Sequence, residues 1–488
     1  MIRSLGILGA GNAGLISALM LRACFTELPI TVIKSNKIGA IGVGEGSNEH
    51  WDDLSKITNI SVNDIIVNAG ATFKHGIKFV NWKNGNDIFY HSLPEHFVSQ
   101  DSYTGLPFTL MNFVANNVDP EKIVFDLAIQ GKIAGPLGAG VGQFHFDTFK
   151  LNSFLEKLCI DRNIKIVLDT VVEVKLSEQG FVQTLIGENQ NHQFEFYIDT
   201  TGFERVIHKS LGSKWESYQK YLPTNSAIAF PSPLDNKIST FTTATARQHG
   251  WSWQAPVQGR YGNGYVFNKN FADINMVIAE LQVEYKDEIK IAKVIDFTPG
   301  KIDKFWIKNC VAVGLSGSFI EPLEASSIGA TIEQIKCLAS SLICWSDQDN
   351  FIEKKYNKTF DRVYQNILDF VQLHYLGQRT DTEFWRWCKN HMILTDFNRE
   401  TVDYFKDNFV SWNFFHENNY ELFDELDWIQ VMHGLGLFNI TKIKEKYLSD
   451  FRVWQAVTEN ELSRVPSEKN WEFLSHEKTI ELIKEQYK

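Results

Sequence analysis

A mixed α/β (α+β) chain, with a parallel sheet begun by a βαβ unit and a mostly helical region appended to it, is the fold class the sequence predicts. Three observations predict it. The chain opens with a short apolar run, Ile2–Leu8, then the turn Gly9-Ala-Gly-Asn-Ala-Gly14, an apolar helical stretch Leu15–Phe25, and a second strand-like run Pro29–Ile33. Two later apolar runs, 194–199 and 309–314, end in Thr200-Thr-Gly202 and in a Gly/Ser-rich turn, as buried strands of such a sheet do. After Leu342 the texture changes, and residues 347–488 carry helical periodicity, many charges and many aromatics. The composition places the boundary near residue 345, dividing the chain into 1–345 and 346–488.

Each element is compatible with the bulk properties. The length of 488 residues exceeds one ordinary core and suits a large domain with an appended one. A formal net charge of -11 speaks against a nucleic-acid partner, which would need clustered Lys and Arg to neutralise phosphates. The six cysteines are scattered with no Cys-x-x-Cys pair, so no metal is expected and free thiols in a reducing cytoplasm are the simplest account. No apolar stretch is long enough to span a membrane, and the N-terminal one lacks the cationic start of a signal peptide. Phe, Tyr and Trp make up 13% of the chain, enough for an aromatic core or for a cavity shaped to a flat ring.

Gly9, Gly11 and Gly14 complete the Gly-x-Gly-x-x-Gly fingerprint of a Rossmann-type dinucleotide site. The first glycine permits the tight turn, the second lets a pyrophosphate approach, and the third lets helix and strand pack closely. The helix start at Asn12 and Ala13 then offers free N–H groups and a positive dipole end. The acid that would hold the ribose is missing after the second strand, where Lys34-Ser-Asn-Lys37 stands. One fingerprint implies one dinucleotide, leaving no evident second site for NAD(P)H.

Further segments carry a resemblance. Ile41-Gly-Val-Gly-Glu45, Ala71-Thr-Phe-Lys-His-Gly-Ile-Lys-Phe-Val-Asn-Trp82, Trp251-Ser-Trp-Gln-Ala-Pro256 and Gly314-Leu-Ser-Gly-Ser-Phe-Ile-Glu-Pro-Leu-Glu324 occur in the order found in the flavin-dependent tryptophan halogenases, which the chain resembles from Gly9 to Leu437. The resemblance implies an FAD-binding module of the flavin monooxygenase/halogenase type, with interleaved substrate-pocket segments, and a helical substrate-binding cap. It implies Gly44, Glu45, Gly314 and Ile328 as further cofactor residues, Lys74 and Glu324 as the catalytic pair, and Ser326 and Ser327 at the halide position. It assigns His91, Ser92, Leu93 and Phe423 to the substrate pocket, with Trp251, Trp253 and Pro256 as the signature separating halogenases from monooxygenases. This chain departs from the family at Leu93, Ala255, Ala325 and Ser327, and poorly matches the segment that grips the amino-acid part of tryptophan.

The chemistry so implied uses reduced FAD (FADH2), O2 and chloride, bromide or iodide to make hypohalous acid, which halogenates an electron-rich, indole- or phenol-like ring. Lys74 would hydrogen-bond the hypohalous acid or carry the halogen as a haloamine; its bland alternative is a lysine snorkelling to solvent. Glu324 would polarise the electrophile or accept the ring proton; its alternative is a surface carboxylate. His91 serves equally as a ring-stacking group or an ordinary histidine, and a phenylalanine such as Phe423 is more often core than pocket. The absence of a reductase module predicts a separate NAD(P)H-dependent flavin reductase as partner, and a homo-oligomer remains open. A monooxygenase of the same fold and a flavoprotein without chemistry are the competing functions.

Overall fold

The apolar run at the start of the chain forms the strand Leu5–Leu8, every residue of which is buried. In this computed structural model the described residues are 2–37, 39, 45–92, 106–119, 132–134, 143–235, 237–285, 288–410, 415, 418–449 and 473–487. They group into two units that alternate along the sequence: Met1–Ala71 with Phe146–Tyr218 and Thr298–Gln365, and Thr72–His145 with Gln219–Phe297 and Asn366–Lys488.

The first unit is built on a six-stranded sheet in the order Trp306–Ile307, Cys310–Ala312, Phe196–Asp199, Leu5–Leu8, Ile30–Lys34, Lys165–Leu168. All pairings are parallel except the hairpin at Trp306–Ala312. The registers Leu5↔Ile30 and Leu5↔Phe196 put the opening strand in the middle. Continuous apolar runs follow from that position, because helices cover both faces of a parallel sheet. Helix Asn12–Cys24 returns the chain and packs against helices Thr148–Asp161 and Ser326–Cys344. The Asp147 carboxylate starts the second of these by accepting the N–H groups of Phe149 and Lys150. Rings fill the core near the hairpin, with Phe196 lying 5.3 Å from Trp306 and 5.1 Å from Trp345.

The second unit holds a seven-stranded sheet in the order Lys293–Asp296, Ser226–Ser232, Arg260–Phe267, Gly250–Val257, Phe241–Ala246, Gly76–Val80, Ile88–His91. It is antiparallel except between Phe241–Ala246 and Gly76–Val80. The helical texture expected late in the chain is present as Phe351–Leu373, Glu383–His391, Asp396–Phe405, Glu425–Gly434, Ile440–Ser449 and His476–Gln486. Among the described residues no helix is long and apolar enough to cross a membrane.

Trp251 and Trp253 alternate along their strand and face one side, their rings 6.1 Å apart. Trp251 is buried and lies 6.1 Å from Trp82, so its direct work is packing. Trp253 lies across its register partner Gly264, where a Cβ would come within 1.8 Å of the indole.

Candidate active site

The fingerprint turn lies at the carboxyl end of the central strand, where ligands bind in open α/β sheets. Gly9 adopts φ +112, and a Cβ there would meet the Thr200 carbonyl oxygen at 2.5 Å. At Gly14 a Cβ would fall 2.1 Å from the Gly9 carbonyl oxygen, so this glycine sets how closely helix and strand pack. Gly11 differs: nothing of the protein lies within 4 Å of its missing Cβ. Its open side belongs to a cavity of about 480 Å³, lined by Gly9, Gly11, Asn12, Ala13, Gly314, Ser327 and Ile328 among others. Helix Asn12–Cys24 begins there with no side-chain cap, leaving its first amides for a ligand. This combination fits a bound dinucleotide.

Sequence reasoning missed the rest of the wall, which Asn152, Asp169, Thr170, Thr200, Thr201 and Thr331 help to form. The position of each at a strand end, or on a helix beside one, is the signal that could have found them. Lys34, where an acid was expected, pairs with Glu156 at 2.6 Å. Asp169 is no substitute for that acid, since its oxygens accept from Thr170, Asn189, Gln190 and His192. Hydroxyls stand nearby instead, Ser35 and Thr170 being 2.9 Å apart.

Beyond Gly314 the chain makes a second turn. Glu324 and Ala325 occupy the left-handed region in succession, with φ 66 and 50. Each costs about 1–2 kcal/mol for a residue other than glycine. Glu324 is 4% exposed, which removes the surface-carboxylate alternative. Helix Ser326–Cys344 starts directly after the bend, again without a side-chain cap. Ser326 is buried and Ser327 faces the cavity. The helix is tied down near its middle: Gln334 accepts from the Gly314 N–H and donates to the Ala312 carbonyl, and Glu333 bonds His50 at 2.7 Å. His50, Asp53 and Glu333 present metal-ligand atoms within 4.8 Å of one another. The Lys336 ammonium lies at the same cluster, paired with Asp53 and, at 2.8 Å, with Glu333.

In the second unit Lys74 follows the short strand Thr72–Phe73 and is 2% exposed, so it does not snorkel. His91 bonds Asp427 at 2.8 Å, and its ring lies 5.4 Å from Phe370. Ser92 is held by the Gln430 side chain and the His75 carbonyl. Phe423 is buried and stacks on Phe370 at 4.1 Å. Phe370 therefore bridges the two rings assigned to the pocket, a link no local pattern announces. Leu93, Gly44 and the Glu45 side chain lie outside the described residues.

The fold and the cavity define a class of α/β protein with a dinucleotide-type cavity at the carboxyl end of its parallel sheet. The chain belongs to the tryptophan halogenase family, whose model matches residues 4–445. It is 30% identical over 429 residues to the 7-chloro-L-tryptophan 6-halogenase KtzR of Kutzneria sp. (strain 744), covering 79% of this chain and 82% of that protein. The structure of the tryptophan 6-halogenase SttH from Streptomyces toxytricini superposes with TM-score 0.83 at 25% identity, covering 98% of this chain and 99% of that one. A tryptophan halogenase from Shewanella frigidimarina shares the fold with TM-score 0.89 at 23% identity, over 99% and 98% of the two chains. The protein is thus a flavin-dependent halogenase.

Proposed function

We propose that this enzyme halogenates an indole- or phenol-like ring with FADH2, O2 and halide, the flavin being reduced by a separate NAD(P)H-dependent reductase. The observation that carries the reading is the near-complete burial of Lys74, the residue matching the family's catalytic lysine. Bound in the cavity, reduced FAD supplies the reaction of O2 with halide that yields hypohalous acid. Gly9, Gly11, Asn12 and Ala13 would hold the pyrophosphate on backbone amides, and Gly314 and Ile328 line the same cavity. The amides of Ser326 and Ser327, at the positive end of a helix, hold the halide.

Lys74 as an ammonium donates a hydrogen bond to the oxygen of hypohalous acid and polarises the halogen. The ring attacks halogen, the halogen–oxygen bond breaks, and the oxygen leaves as water with a proton from the ammonium. Glu324 takes the proton that the ring then loses, and exchange with solvent returns both groups to their starting states. Because the tryptophan amino-acid clamp is poorly matched, the preferred substrates are simple indoles or phenols, with His91 lining their pocket.

Lys74→Ala tests the assignment with a scavenger of free hypohalous acid present. Flavin oxidation continues and halogenated product falls by at least ~10². Product near the wild-type rate in a folded, FAD-binding variant overturns it. Halide-dependent mass shifts on an indole and phenol panel separate this reading from a monooxygenase, which would add oxygen instead.

A further inference from the structure

We propose that His145 is a positioning residue for Lys74, clamped between Thr72 and Thr242 so that it fixes the strand face carrying the lysine. The proposal rests on the reading of Lys74 given above. Thr72–Phe73 pairs with Phe144–Phe146 in antiparallel register, Thr72↔His145 and Phe73↔Phe144, and the Lys74 N–H continues it to the Gln143 carbonyl at 3.0 Å. The pleat has a period of two, so Thr72, Lys74, Gln143 and His145 share one face. Phe73 and Phe144 share the other, their rings 5.9 Å apart. The face is polar yet buried: Thr72 and His145 are fully enclosed and Lys74 and Gln143 nearly so.

The hydrogen bonds on that face have one consistent assignment. The Thr72 hydroxyl has a single proton, donated to the Pro256 carbonyl at 2.6 Å. Toward His145 it therefore accepts, so the proton of the ring sits on Nδ1, 3.3 Å away. Nε2 is left as a lone pair and accepts from the Thr242 hydroxyl at 2.8 Å. Pro256 ends the Trp251–Pro256 signature, so one chain of bonds joins that strand to the residue two before Lys74.

His145 stays neutral in this arrangement. Burial pushes its pKa well below the ordinary value, and the charge at Lys74 pushes the same way. His476 is likewise neutral: burial lowers it to about 4. Its Nε2 accepts the Phe73 N–H at 2.8 Å. The strand is thus held on one face by His145 and through its backbone edge by His476, and neither ring adds charge beside the ammonium. With both ring nitrogens engaged and no exposed surface, His145 has no route to substrate, so its role is carried through Lys74.

The test measures halogenated product per flavin oxidised, with FAD, a reductase, bromide, indole and a hypohalous acid scavenger. Thr242→Val keeps the volume and removes one donor; His145→Leu removes both ring bonds; His145→Asn retains an amide near the Nδ1 position. Loosening the face by a fraction of an ångström is expected to lower product per flavin about 10-fold in His145→Leu. Scavenged oxidant should rise correspondingly, while FAD affinity and flavin oxidation rate stay at wild-type values. His145→Asn should recover part of the loss, and Thr242→Val should show a smaller one. A general loss of structure would not divert oxidant from product to scavenger at constant flavin turnover. Wild-type product per flavin in both Thr242→Val and His145→Leu overturns the inference. Lys74→Ala run alongside separates the two failures: if it too keeps its product, the assignment of Lys74 falls, and if it alone loses product, only the role of His145 does.

Discussion

Two turns in the first unit deliver helices to one cavity, and they are built by opposite means. At Gly9 the left-handed backbone is taken by glycine, which pays nothing for it beyond chain entropy. At Glu324 and Ala325 the same region is occupied twice in succession by residues with a Cβ. Both turns leave the helix after them uncapped. The first presents only backbone, which is all a pyrophosphate needs. The second keeps a carboxylate where glycine would be easier, and strain maintained there points to a side chain the site cannot spare. On the proposed reading, a binding turn can be relaxed, whereas a reacting turn holds its side chain in place against the backbone's preference.

Substitutions at each turn can break that contrast. Glu324→Gln removes the charge and keeps the shape, so product formation should fall ~10²-fold at unchanged FAD affinity and flavin oxidation rate. If affinity falls instead, this turn serves binding and the contrast is lost. Gly14→Ala should act in the opposite sense. With a Cβ 2.1 Å from the Gly9 carbonyl oxygen, helix and strand must part, and FAD affinity measured by fluorescence quenching should drop roughly 10- to 100-fold.

Halide choice probes the helix start after the strained turn. Bromide, more easily dehydrated and oxidised, should turn over faster than chloride with Ser326 and Ser327 at that position, and equal rates at equal concentration would contradict the assignment. Ala325→Gly has the smallest expected effect. Relief of the left-handed penalty, less the added freedom of the unfolded chain, should stabilise the protein by about 0.5–1 kcal/mol in urea unfolding. A destabilised variant would mean that the bend is favourable as built.

The contrast also explains what could be read in advance. The glycine turn was legible because each glycine answers a local steric demand, and the strand, turn and helix around it are contiguous. The strain at Glu324 and Ala325 was not legible, since neither residue type signals positive φ. Likewise the burial of Lys74 cannot be seen in a segment that reads equally well as a snorkelling lysine on a strand.

By itself the sequence determined the parallel sheet at the start of the chain, the dinucleotide turn, the late helical texture and, through ordered motifs, the family. These follow from periodicity and from local backbone sterics, which act over a few residues. Only the tertiary structure decided that Asp169 spends its carboxylate on Asn189, Gln190 and His192, that Phe370 links His91 to Phe423, and that His145 reaches Thr72 and Thr242. Each depends on a register or packing between residues far apart in the chain, and buried polar side chains find their partners only after the strands have paired.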